Sequence, residues 1–171
     1  MVNIPSKNVF GADNQQERPE IIGWIVGFSD GEGCFSVSLI KNKTTSTGWQ
    51  VFPEFVITQG EKSLPALKIF KDYFNCGNIF INRRHDNHRE SLYRFCVRSV
   101  NDLQEKIIPF FRKYPLKTNK RKDFKIFVDI LKLMSGNRHL SVSGLKVIAK
   151  KIEQMNNKKR SRFLESSETI R

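Results

Sequence analysis

The sequence predicts an α+β fold in which a four-stranded antiparallel sheet is covered by helices on one face only. Three observations predict it. Stretches with apolar residues at three- and four-residue spacing are each followed by two extended runs, which gives the order αββαββα with additional helices after it. The extended runs alternate apolar with polar residues, as antiparallel strands do when one face meets the core and the other does not. Polar turns rich in Asn, Asp and Gly separate the runs. The uncovered face of such a sheet must meet something else.

The elements follow in order. Residues 1–17 carry Asn3, Pro5, Asn8, Gly11 and Gln15 with no apolar period, so a loosely ordered arm is expected there and a single domain over 18–171. From Pro19, the recurrence of Ile21, Trp24, Ile25 and Phe28 predicts a short apolar helix. The period then drops to two. Phe35, Val37 and Leu39 share one face of a strand, with Cys34, Ser36, Ser38 and Ile40 on the other. A polar stretch from Lys41 to Gly48 joins it to a second extended run over 49–58, hence a long hairpin. Leu64, Leu67, Phe70 and Phe74 predict a helix that stops at the Asn75-Cys76-Gly77-Asn78 turn. Extended runs over 79–84 and 92–98 flank a polar loop, His85-Asp86-Asn87-His88-Arg89-Glu90. Beyond them come a helix near residue 101 with Leu103, Ile107, Phe110 and Phe111, and one with Phe124, Phe127, Ile130, Leu131 and Met134. The last, from about Ser141, is expected to bury Leu145, Ile148, Ile152 and Met155.

Composition narrows the function. At 171 residues the chain is long enough for one domain with a substantial core. Lysine and arginine number 30 against 17 acids, a formal charge of +13, which points to a polyanionic partner; the competing reading is a lysine-rich solvated surface. Cys34, Cys76 and Cys96 are odd in number and widely spaced, as free thiols of a reducing compartment are. No run has the length of a membrane span and no secretory signal opens the chain, so an intracellular protein without a membrane partner is expected.

One string carries chemistry. Gly27-Phe28-Ser29-Asp30-Gly31-Glu32-Gly33-Cys34-Phe35 places two acids and several glycines where the first helix meets the first strand. Asp30-Gly31 alone would be an ordinary turn. With Trp24-Ile25-Val26 before it, however, residues 25–33 resemble the LAGLIDADG motif, the match resting on Gly27, Asp30, Gly31, Glu32 and Gly33. The likeness continues through Ile57-Thr58-Gln59, through the stretch from Pro115 to Phe124 and through the stretch from His139 to Leu145, so the chain resembles a single-motif LAGLIDADG homing endonuclease.

That resemblance implies the homing-endonuclease form of the αββαββα fold and metal-dependent hydrolysis of one phosphodiester on each strand of double-stranded DNA. Because the chain holds one motif, it implies a homodimer, with Gly23, Trp24 and Gly27 at the interface. Gly23 and Gly27 would let two helices approach in the G-x-x-x-G manner; helix packing inside one subunit is the alternative. Glu32 is the implied metal ligand, with the Gly31 carbonyl beside it, for magnesium, with manganese or calcium able to take the same places. Gln59 resembles the family's water-positioning residue. Lys120 aligns with its active-site lysine, and Lys117 is the rival; Asp30 is expected to brace the corner.

The open sheet face is expected to read base edges in the major groove. Alternation assigns to it Ser36, Ser38, Ile40 and Asn42, then Gln50, Glu54 and Val56, then Phe80, Asn82 and Arg84, and last Arg94, Cys96 and Arg98. A strand of about eight residues spans roughly 26 Å, or about seven or eight base pairs. Two subunits then imply a near-palindromic site of about twenty base pairs. Other lysines and arginines would contact phosphates, which position without specifying. The alternative on the same fold is a maturase acting on its own intron RNA; retention of Glu32, Gln59 and Lys120 favours the nuclease. The family's habit implies an organellar intron, mitochondrial or chloroplast.

Overall fold

The structure, a computed structural model, describes residues 17–82, 91–155 and 163–164. Arg84, the Asn82 side chain and nearly all of the N-terminal arm lie outside the described residues. Helix α1 (Glu17–Glu32) starts just ahead of Pro19, where a missing N–H costs nothing because first-turn donors have no helical partner. Strand β1 (Gly33–Lys41) begins at the very next residue and pairs antiparallel with β2 (Trp49–Gly60). Helix α2 (Leu64–Phe74) ends at Asn75, whose φ of 45° is the left-handed stop expected of the turn there. It carries the chain to the far edge, where β3 (Asn78–Asn82) forms; β4 (Leu92–Val97) returns between β3 and β2. The sheet order is β1-β2-β4-β3, antiparallel throughout, as the alternating pattern predicts.

The next helical stretch differs from a simple helix. A short α3 (Val100–Asp102) passes into a π-helical segment, Leu103–Ile107, and then into α4 (Ile108–Lys113). Pro109 explains the widened turn: it has no N–H to give and its ring would press on the carbonyl four residues earlier. The wider turn still keeps Leu103, Ile107, Phe110 and Phe111 inside. Helices α5 (Lys120–Ser135) and α6 (Val142–Ile152) complete the covering layer.

The core lies between that layer and the inner sheet face. Phe35 stacks on Phe55 with ring centroids 4.9 Å apart, and Phe111, Phe124 and Phe127 meet Phe35 edge-on at 5.0–5.4 Å. Ile25, Ile57, Leu67, Phe70 and Phe95 close around them, fully buried. No helix among the described residues is long and apolar enough to cross a membrane.

Ser141 caps α6 by accepting from the Gly144 amide at 3.1 Å, and a Cβ on Gly144 would run into the Arg138 carbonyl. Gly144→Ala is therefore expected to lower unfolding stability by about 1–3 kcal/mol through overpacking. Urea denaturation checks it: an unchanged midpoint would mean that the turn before α6 yields without strain.

Candidate functional site

The helix-to-strand corner is made by close approach. A Cβ on Gly33 would sit 2.7 Å from the Ser29 carbonyl oxygen and 3.3 Å from the Phe55 ring, so only glycine lets β1 leave directly from the end of α1. Ser29 is buried beneath the corner, while Gly31 and Glu32 are exposed above it. Gly33 pairs with Ile57, so Gln59, two residues further along β2, lies at the same end of the sheet as Glu32. It is half-buried, and by alternation it shares the helix-side face with Phe55 and Ile57.

Asp30 holds this corner to a distant loop. Its carboxylate accepts from the Lys117 amide at 2.7 Å, the Thr118 amide at 3.1 Å and the Thr118 hydroxyl at 2.6 Å. Burial pushes the Asp30 carboxyl up, but the Thr118 hydroxyl, the two amides and the nearby Lys120 charge outweigh it and hold it below its ordinary value of 3.8. A carboxyl depressed in the folded state adds stability that is complete above the ordinary value and is lost as pH falls through the folded one. Asp30→Ala is accordingly expected to cost about 1–2 kcal/mol at neutral pH, the low part of the range for charged hydrogen bonds because the site is open to water. The cost should shrink below the carboxylate range, where only neutral hydrogen bonds are left to lose; an equal loss at low and neutral pH, in thermal melts, would remove the charge from the account.

Lys120 closes the corner from the other side. Its Nζ donates to the Ser29 carbonyl at 3.1 Å and to the Gly31 carbonyl at 3.0 Å. Partial burial pushes this ammonium below its ordinary value, opposed by Asp30, Cys34 and Glu32. Lys117 offers the corner only its backbone amide, and its side chain is exposed. Of the two lysines, the fold brings Lys120 to Gly31 and Glu32. Thr118, absent from the sequence expectations, clamps Asp30 across 88 positions of chain, and no local pattern signals it.

The exposed Glu32 carboxylate and the Gly31 carbonyl are oxygen donors of the kind a hard divalent cation takes, with Lys120 already donating to that carbonyl. Among the described residues no three His, Cys, Asp or Glu side chains cluster, and of the two acids at this corner Asp30 is engaged by Lys117 and Thr118.

One face of α1 is open among the described residues. A Cβ at Gly23, Gly27 or Gly31 would meet nothing within 4 Å there, so no described neighbour packs on these glycines. Gly23 and Gly27 line a groove of about 660 Å³, with Ile22, Val26, Tyr114 and Pro115 along its apolar walls. Trp24 does not line this groove. One residue on from Gly23 the helix has turned by about 100°, and the Trp24 ring packs on Phe28 at 5.0 Å and Phe70 at 5.4 Å within its own chain, leaving it 36% exposed.

On the open sheet face, Ser36, Ser38, Ile40, Gln50 and Phe80 are accessible to differing degrees, and Arg94 and Arg98 project beside them. Val56 and Cys96 share that face but are 7% and 3% exposed, so their expected base contacts require correction: these short side chains sit among the longer Glu54, Arg94 and Arg98. Asn42 is largely committed to its turn, accepting from the Thr44 amide and hydroxyl and donating to Gln50 at 2.9 Å. Phe52 and Thr58 also lie on this face; the same period-two rule that gave Gln50 and Glu54 finds them.

Residues 25–131 match the family described as LAGLIDADG endonuclease. The chain is 40% identical over 126 residues to probable intron-encoded endonuclease 2 of Neurospora crassa, covering 73% of itself and 27% of that relative. It is similar to the homing endonuclease I-TnaI, with a TM-score of 0.76 and 39% identity over 88% of this chain and 97% of that one. It is also similar to I-SmaMI bound to an uncleaved DNA target in the presence of calcium ions, with a TM-score of 0.74 and 34% identity over 85% of this chain and 48% of that one. The chain thus spans about a quarter of the fungal relative's length and nearly half of I-SmaMI.

Proposed function

The chain belongs to the LAGLIDADG endonuclease family, and from that premise we propose that it is a site-specific DNA endonuclease that works as a homodimer with one Glu32 per subunit at its centre. The observation that carries the reading is the open glycine face of α1, which runs from Gly23 to Gly31 and ends at the exposed Glu32. A second copy of α1 laid on that face brings the two Glu32 side chains and two Lys120 corners together over one stretch of duplex.

Each residue then has a task. Glu32 and the Gly31 carbonyl would hold a divalent cation, magnesium or one of its substitutes, which would supply charge neutralisation and activation of water for hydrolysis. Lys120 stabilises developing negative charge near the scissile phosphate, and Gln59 orients water at the same end of the sheet. Asp30 keeps the 117–120 loop against the corner so that Lys120 is in place before DNA arrives. Two such centres cut one strand each. The open sheet face lies in the major groove, and the two-fold axis makes the site near-palindromic.

The fungal relative's name places it in an intron, and I-SmaMI is bound to DNA. An organellar intron origin accords with this. The relatives are described as endonucleases, which favours the nuclease over a maturase on the same fold.

The test is direct. A supercoiled plasmid bearing the intronless joined sequence of the host gene is incubated with the protein and magnesium; linear product is the expected result. Binding to that sequence should weaken linearly with salt on logarithmic axes, by about a thousand-fold or more between 50 and 200 mM. A plasmid neither nicked nor linearised with magnesium or manganese, although bound, would turn the protein into a DNA-binding module without catalysis.

A further inference from the structure

The open sheet face carries an acid where a DNA-reading surface should repel one. Glu54 lies on that face, yet its side chain is only 16% exposed, and both oxygens are occupied: Oε2 accepts from Arg98 Nε at 3.1 Å and Oε1 from Arg94 at 3.4 Å. A carboxylate covered this far by two arginines is poorly placed to accept from a cytosine amine, the part an acid plays in base readout. The arginines are the accessible members, with Arg98 40% and Arg94 34% exposed. Arg98 is held more firmly. Its guanidinium lies 5.4 Å from the Phe52 ring and 5.1 Å from the Phe80 ring, within cation–π range of both, while Glu54 takes its Nε–H.

We propose that Glu54 is a positioning residue rather than a DNA contact, and that it and the two phenylalanine rings fix Arg98 to read a guanine in each half of the target. This rests on the DNA-cleaving reading above. A guanidinium has five N–H donors; with Nε–H given to Glu54, the terminal pair remains to meet guanine O6 and N7, the commonest specific base contact of arginine. A side chain already held by an acid and two rings has little freedom left to lose on binding. The bound acid is neutralised twice over, so the cluster carries net positive charge toward the groove.

The experiment compares wild type with Arg98→Ala, Arg98→Lys, Glu54→Ala and Glu54→Gln. A cleavage selection from a randomised duplex library first recovers the wild-type target, and each variant is then bound to duplexes carrying all four base pairs at each position. Wild type is expected to prefer G:C at one symmetry-related pair of positions by roughly ten- to a hundred-fold. Arg98→Ala and Arg98→Lys should level that preference and leave the other positions unchanged, the lysine variant separating fork geometry from charge. Glu54→Ala should level it too while tightening non-specific binding, a pairing that general damage to the fold does not produce. Glu54→Gln, which keeps an oxygen for Nε, should retain most of the preference, and it carries the test if Glu54→Ala does not fold.

Three outcomes overturn the inference. In one, no Arg98-dependent G:C pair exists in an otherwise well-defined target. In another, Glu54→Ala keeps full discrimination. In the third, Arg98→Lys behaves as wild type. Each leaves the endonuclease reading standing, whereas a wild-type protein that recovers no site defeats that reading and this inference with it.

Discussion

Glu32→Gln is expected to reduce DNA cleavage by on the order of a thousand-fold or more while leaving affinity for the target within a few-fold of wild type. The size follows from position. Glu32 is the carboxylate that the corner exposes at the end of α1, and the described residues hold no cluster of metal-binding side chains to replace it. The amide is nearly isosteric and keeps one oxygen, but it gives up the charge that a hard cation selects. On the proposed reading, binding rests with the sheet face and the basic surface, which the substitution does not touch, and one negative charge fewer near phosphate favours association slightly. The measurement is a single-turnover cleavage assay with magnesium beside a gel-shift titration. Cleavage within ten-fold of wild type removes Glu32 from the mechanism, and a parallel collapse of binding assigns it to the fold instead.

The second large effect belongs to Gly27. Gly27→Leu is expected to convert a dimer into a monomer and to abolish double-strand cutting, while the monomer itself is no less stable. A Cβ at position 27 meets nothing within 4 Å among the described residues, so its cost is expected where a second α1 must approach. Gly27→Ala sharpens the contrast. An alanine inside an exposed helix gains about 1 kcal/mol over glycine, so the monomer should melt higher even as the dimer weakens. Sedimentation velocity read with thermal unfolding at low concentration separates the two effects. If Gly27→Leu sediments as a dimer, the glycine face is not the interface and the paired-Glu32 arrangement fails with it.

These features differ in how much of each is encoded in the sequence. The four strands, their alternation and the helix stripes follow from local periods of two and about 3.6, and the structure keeps them: Phe35 and Val37 inside, Ser36 and Ser38 outside. The corner was legible too, because Gly33 and the acids before it sit in one continuous string. Alternation tells which face a side chain takes but not how deeply its neighbours cover it. Val56 and Cys96 therefore took the expected face without the expected exposure, since Arg94 and Arg98 rise from adjacent positions around them. Trp24 shows the same limit on a helix, where a ring long enough to reach Phe70 packs inside its own chain.

The sequence by itself determined the αββαββα order, the antiparallel sheet and the chemical character of the Asp30-Gly31-Glu32 corner, because each is encoded in residues adjacent or a few positions apart. Only the tertiary structure decided which lysine reaches that corner, that Thr118 holds Asp30, and that Glu54 serves Arg98 instead of facing solvent. These pairings join residues 44 to 89 positions apart. Their energies depend on distances of about 3 Å, which the packing of helices on the sheet sets and no local period contains.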